Sequence, residues 1–312
     1  MADHRLDATA QTVTDVFGRD LPPVLTVEAG DRLVVRTLNC AGHLRRPNDP
    51  GQDPPSLLNP RRGHCLVGPI AVRDGVPGMA LAVCLEELRP DPWGFTVAGG
   101  RDTPLSRRLG VADATAAHLL WDLDIERSSA VSNLGFTVNL APFLGVIGLA
   151  PEEPGEHSTI PPRTRGGGNI DCRELIAGST LYLPIMVPGA LLSIGDGHGA
   201  QGDGEVGGTA IECGMTTTMT LDLVPDPAVP TIHAVTPAGR ITFGFHADLN
   251  EAMADALDAM IGWMQTLYGV DKPSALALAS TTVDLRITQV ANQTWGVHAV
   301  LPHHALRGAA GS

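Results

Sequence analysis

Along the first two-thirds of the chain, apolar and polar positions alternate in short blocks, the pattern of half-buried strands rather than helices. Leu25 to Val27 and Leu33 to Leu38 read as two strands joined at Glu28-Ala-Gly-Asp31. Pro69 to Val72 and Leu81 to Leu88 repeat the arrangement around a turn at Asp74 to Gly78, and Leu181 to Ile194 repeats it again. Each copy is a short apolar strand, a turn containing glycine and a leucine-led second strand. The template is short enough for chance to produce it; taken at face value it predicts an architecture of like hairpins. Val131 to Asn139 and the alternating Met215 to Leu223 add further strands, and Phe143 to Leu149 is an apolar run with Gly145 and Gly148.

Three stretches break the pattern. Residues 1–20 read as a loosely ordered lead-in. Residues 39–66 hold Pro47, Pro50, Pro54, Pro55 and Pro60, which forbid regular ladders. An irregular stretch of that length in a compact domain is functional or disordered. Ala98 to Gly110 is a polar excursion carrying Arg101, Arg107 and Arg108.

After about residue 225 the period changes. Asp248 caps a predicted helix with Glu251 three residues on, and Met253, Leu257, Met260, Met264 and Leu267 recur every three to four residues until Gly269. We read this methionine stripe as core rather than as a cofactor or partner groove. A shorter helix from Pro273 to Ala279 and strands at Val283 to Ile287 and Gly296 to Leu301 complete the chain. The expected fold is mainly β, sandwich- or barrel-like and hairpin-built, with an α+β C-terminal part. It divides into a lead-in (1–20), a β-rich body (21–225) and the α+β part packed on it (226–312).

Composition narrows the class. The 312 residues are 43% hydrophobic, enough for a substantial core, and the formal net charge of −13 argues against nucleic acid or an anionic membrane as partner. No apolar run approaches the ~20 residues of a membrane span. Met1 to Asp20 lacks the basic-then-apolar order of a signal peptide. The five cysteines are scattered and odd in number, which fits a reduced cytoplasm. The single lysine, Lys272, sits in a polar turn before Pro273, so hydrolysis through a catalytic lysine beside a serine or cysteine is excluded. G-x-S-x-G is absent as well.

The chemistry concentrates at Ser193 to Gly208, where Asp196, His198, Asp203 and Glu205 share a glycine-rich loop between apolar strands at Ala190 to Ile194 and Thr209 to Cys213. Gly197, Gly199 and Gly202 formally match a dinucleotide fingerprint. That fingerprint must open a helix, and carboxylates here would repel phosphate. A calcium loop of the glycine–aspartate type needs tandem copies, and only one is present. A catalytic metal centre ranks first: glycines let carboxylates and imidazole close in sequence converge on one point. Asp203 reads as a turn-former.

Several further segments join this loop in a resemblance. Gly68-Pro-Ile-Ala-Val72, Pro142-Phe-Leu-Gly145, Ser158-Thr-Ile-Pro-Pro162, Gly167-Gly-Asn-Ile-Asp171, Gly178-Ser-Thr-Leu-Tyr-Leu-Pro184, Val187-Pro-Gly-Ala190 and the run Gly195 to Glu205 match one pattern. Asp284 to Gln289 and Gly296-Val-His298 fit its end. From about residue 20 onward the chain resembles the acetamidase/formamidase family. The resemblance implies a mostly β fold, a divalent metal, hydrolysis of small aliphatic amides to carboxylate and ammonia, and a homo-oligomer, dimer or higher. Asp171, Asp196 and His198 carry over as metal positions. Glu205 carries over as an acidic residue; chemistry makes it the general base toward metal-activated water, with a further ligand or a loop-stabilising acceptor as the competing role. The ligand set fits zinc, with manganese or calcium as alternatives. His64 is a second-rank site residue, for the metal or for substrate orientation, against an exposed loop histidine. Cys172 reads as a buried structural thiol. Asn39 stands where the family often has aspartate, and motivates a second reading: a non-catalytic or regulatory homologue that binds a small amide or a metal.

Overall fold

The computed structural model describes residues 2–307. It is mostly β, with 41% strand against 12% helix, and the two longest helices lie near the C-terminus. The body is built on the 19-residue strand Ala80–Ala98, which pairs antiparallel with Glu212–Val224, Thr180–Pro184 and Ala117–Asp124. The strand Leu192–His198 is buried at all seven positions. It pairs antiparallel with Phe143–Leu149, Leu66–Val72 and the start of Glu212–Val224. A single core runs through this network from Val27 and Leu33 to Ile241 and Val300.

Most expected strands exist, although Val131 to Asn139 is a hairpin of Ser129–Ser132 with Thr137–Asn139 and the strand expected from Thr209 begins at Glu212. The three expected hairpins do not form. Leu25–Val27 pairs in parallel with Leu66–Val72, while Arg32–Thr37 pairs with Glu212–Val224. Leu66–Val72 joins Leu192–His198, and Thr180–Pro184 joins Ala80–Ala98. The reason is burial. Leu66–Val72 and Leu192–His198 are almost entirely covered, and an apolar run covered on both faces carries no sequence mark of its partner. A hairpin with one face wet forms at Ala117–Asp124 with Ser129–Ser132.

Two other expectations need correction. The lead-in is ordered: Asp3–Asp7 runs parallel to Arg32–Thr37, Val13–Thr14 pairs with Leu66–Val72, and Val16 and Phe17 are buried. With one apolar residue in Asp-His-Arg-Leu-Asp, the first of these strands carries no hydrophobic alternation to mark it. The polar excursion contains a short helix, Pro104–Leu109, capped by Thr103 and closed by Gly110.

The C-terminal helices form where expected, Leu249–Tyr268 capped by Asp248 and Lys272–Thr282 capped by Asp271. Lys272 is exposed, pairing with Asp258 at 2.5 Å. The buried face of the long helix is Ala252, Ala256, Met260 and Met264, whereas Leu267 is 38% exposed. Small residues lead because the helix lies directly on the strand Gly239–His246. A Cβ on Gly244 would meet the Ala252 carbonyl oxygen at 2.0 Å. Among the described residues no helix is long and apolar enough to cross a membrane.

Candidate metal and active site

Asp196 and His198 lie on the strand Leu192–His198, not in a loop as their glycines suggested. The glycines serve close packing. A Cβ on Gly195 would meet the Cys65 carbonyl oxygen at 2.7 Å, and one on Gly197 the Cys213 carbonyl oxygen at 2.7 Å. Irregular chain begins after His198. There Gly204 pairs with the end of the strand Asp284–Gln289, through Gly204 N–H to the Thr288 carbonyl at 3.1 Å and Val290 N–H to the Gly204 carbonyl at 2.8 Å. This pinning sets Glu205. Asp203 is exposed, 3.9 Å from Arg286.

Asp171, Asp196 and His198 converge: their ligand-type atoms lie within 4.8 Å of one another. His198, Glu205 and Glu212 meet the same criterion, and so do Cys40, Asp196 and Glu212. All five central groups are buried: Asp171 1%, Asp196 3%, His198 0%, Glu205 7% and Glu212 2% exposed. The backbone is left-handed at Asp171 (φ 53°), Asp196 (φ 58°) and Glu205 (φ 44°). Non-glycine residues held there cost roughly 1–3 kcal/mol each and gather at functional sites. Gly145, on the facing strand Phe143–Leu149, leaves the space: a Cβ there would lie 2.6 Å from both Asp171 Oδ1 and Asp196 Oδ2 and 2.9 Å from His198 Cε1.

One side chain fixes two of these groups. Gln201 Nε2 donates to the Asp171 carbonyl at 2.8 Å, so its Oε1 faces His198 Nδ1 at 2.9 Å. Nδ1 must then carry a proton, and Nε2 is turned toward the carboxylates. It lies 3.5 Å from Asp196 Oδ1 and 3.3 Å from Glu212 Oε1. The edge of the Phe143 ring closes the other side, with centroids 5.0 Å apart at 84°.

The electrostatics are those of a site short of positive charge. Burial, opposed by His198, pushes the Asp171 carboxyl well above its usual range. Burial and the Asp171 charge do the same to Glu205. Burial opposes ionisation of Asp196 too, but His64 and His198 hold it below the usual range. Burial disfavours the charged His198 ring, yet Glu212 and Asp196 raise its pKa. Both Asp171 carboxylate oxygens, His198 Nε2 and Glu212 Oε2 are buried without a hydrogen-bond partner. Such groups are rarely left so unless an ion or water belongs among them. A divalent cation fits this donor set and would displace the protons the cluster otherwise gathers.

His64 is brought to the site: Nε2 is 3.9 Å from Asp196 Oδ2, and Thr159 Oγ1 faces Nδ1 at 3.2 Å. His43, from the same irregular segment, is not; it pairs with Asp53 and packs on Phe95. Asn39 Oδ1 accepts from the N–H groups of Ala41 and His43 at 3.1 and 3.2 Å, so it holds a turn. A cavity of about 230 Å³ opens over the cluster, lined by Cys40, His64, Asp171, Asp196, Glu205 and Glu212 among others.

Sequence reasoning missed Glu212, Gln201, Cys40 and the role of Gly145. Glu212 had a signal, a lone carboxylate in the otherwise apolar run Thr209 to Cys213. Gln201, three residues after His198, had none of its own.

The acetamidase/formamidase family pattern matches residues 2–157 and 152–304. A formamidase homologue of Schizosaccharomyces pombe is 25% identical over 299 residues, covering 73% of this chain and 71% of that protein. The acetamidase structure from Yersinia enterocolitica superposes with a TM-score of 0.86 at 26% identity, over 98% of this chain and 93% of that one. The acetamidase structure from Bacillus halodurans gives 0.85 at 24% identity over 96% and 97%, which speaks for the fold. The chain therefore belongs to the acetamidase/formamidase family and is an amidase acting on small linear amides.

Proposed function

We propose that this chain hydrolyses formamide- or acetamide-sized amides with a divalent cation held by Asp171, Asp196 and His198, with Glu212 beside them. The carrying observation is that Asp171 and His198, which converge with Asp196, keep buried ligand atoms without hydrogen-bond partners, and that Glu212, which converges with His198, does the same at Oε2. One imidazole among carboxylates suits zinc, with manganese and calcium as the oxygen-preferring alternatives. When bound, such an ion lowers the pKa of water from ~16 toward ~7 and polarises a carbonyl.

The chain's own residues divide the remaining work. Glu205 takes one proton of the attacking water and passes it to the departing nitrogen as the C–N bond breaks. Amide and water become carboxylic acid and ammonia, and the acid then gives its proton to ammonia or solvent. The Glu205 carboxyl is buried beside the cluster, and a carboxylate there can serve both halves of that transfer. His64 orients the substrate. Thr159 Oγ1 accepts from the His64 backbone N–H at 2.8 Å and lies 3.2 Å from Nδ1; in the tautomer where this hydroxyl donates to Nδ1, the ring proton is on Nε2, facing the cavity. His198 thus presents a lone pair and His64 an N–H. The small cavity admits one- to three-carbon amides.

The test is ammonia release from formamide, acetamide and propionamide, with elemental analysis of the same protein. Turnover should vanish on chelation and return with metal. Glu205→Gln should lower kcat on the order of 10²–10⁴-fold with metal retained. Full activity in metal-free protein, or none on any short amide with metal bound, would sink the reading; the latter outcome would favour a binding homologue.

A further inference from the structure

A second group of ligand-type side chains lies outside the site described above, where the segment after Asp171 meets the C-terminal strand Trp295–Pro302. Cys172 and His298 are each 0% exposed, and the ligand atoms of Cys172, Glu174 and His298 lie within 4.8 Å of one another. Glu174 Oε2 is 3.3 Å from Cys172 Sγ and 3.3 Å from His298 Nε2. A tetrahedral zinc at ~2.3 Å from sulfur and ~2.0 Å from nitrogen and oxygen places such donors about 3.3–3.5 Å apart. These two spacings already match. Beyond that contact with Glu174, buried His298 Nε2 has no hydrogen-bond partner. The other ring nitrogen is held by Thr288 Oγ1 at 2.8 Å, the kind of outer partner that orients a ligating histidine. Glu174 divides its oxygens similarly: Oε1 accepts from Arg286 Nη1 at 2.5 Å, and Oε2 is turned inward.

We propose that Cys172, Glu174 and His298 form a second cation site, one that takes a thiophilic divalent ion such as zinc and ties the Asp171 segment to the C-terminal strand. Sulfur, imidazole and carboxylate together select against calcium and magnesium. Binding exchanges the thiol proton, now donated to Glu174, for the metal–sulfur bond and releases that proton to solvent. The competing account is a buried Glu174–His298 ion pair with the thiol as bystander.

Elemental analysis of zinc-loaded, dialysed protein separates the two. Wild type should hold one equivalent more per chain than Cys172→Ser and His298→Gln. Cobalt-loaded wild type should show a thiolate-to-metal charge-transfer band that is lost in Cys172→Ser but kept in Cys40→Ser and Asp196→Asn. Cys172→Ser is close to isosteric and guards against a folding failure in the histidine variant. Asp196→Asn keeps the result independent of the amidase metal. Equal metal content in wild type and both variants, or a band that survives Cys172→Ser and vanishes with Cys40→Ser, would overturn the proposal.

Discussion

Gly145 contributes no side chain to the site, and the space it leaves is what lets Asp171, Asp196 and His198 approach one another. Gly145→Ala should cost ~1–3 kcal/mol by overpacking. It should also weaken metal binding and lower kcat/KM on the order of a hundredfold, read by metal competition and ammonia release. Gln201 works at one remove. Gln201→Leu frees the His198 ring and leaves the Asp171 carbonyl without its donor, so metal affinity should fall ~10–100-fold while substrate KM in metal-saturated protein moves less. Residues with distinctive chemistry, Asp171, Asp196, His198 and Glu205, were visible in the sequence as a pattern. Gly145 and Gln201 fell within matched segments, but their roles were not visible, because those come from what lies across the sheet, and neither one glycine among 36 nor a lone glutamine carries a mark of that neighbour.

Among the elements, the N-terminal strands overturn the expectation of a loose lead-in. Phe17 is 2% exposed, packs with Leu66 and Val146, and lies under the Arg163 guanidinium at 4.3 Å. Phe17→Ala should therefore cost roughly 3–5 kcal/mol, measured by urea unfolding; a silent substitution would restore the lead-in reading. Both C-terminal helices were legible because caps and period sit within the helix itself. The strands were legible too, but their partners were not. A strand's neighbour is chosen by packing among distant segments, so the repeats at Leu25, Ile70 and Leu181 gave the elements and misled about their pairing. The irregular 39–66 segment was recognisable as functional or disordered; that His64 reaches the site and His43 does not depends on the Thr159 contact from 95 residues away.

At the scale of the whole molecule, two cores meet. The helices Leu249–Tyr268 and Lys272–Thr282 enclose a smaller core with Val297, Ala299 and Leu301, and we propose residues 226–312 as an α+β layer packed on the 21–225 body. His233 stands at this junction, stacked on Tyr182 (4.7 Å between ring centres) and edge-on to Trp263 (5.1 Å). Burial lowers its pKa from 6.5. The unfolded chain thus takes the proton first, and the stability His233 contributes is complete above pH 6.5 and lost as pH falls toward its folded value. The wild-type urea midpoint should drop on acidification through this range, and by less in His233→Phe, which keeps the stacking. Chelation acts on the same scale: an ion at a thousandfold excess over its Kd adds ~4 kcal/mol, so chelated protein should melt several degrees lower and recover with zinc.

The crosswise pairing of Leu192–His198 also has a consequence for assembly on the ribosome. Its partners start at residues 66, 143 and 212, and Glu205 is pinned by residues 288–290. The proposed ligands Asp171, Asp196, His198 and Glu212 can be gathered once these strands pair, but Glu205 is not set until residues 288–290 dock on Gly204. Refolding protein should accordingly take up the ion before it regains catalysis, and a fragment ending before residue 284 should lack turnover.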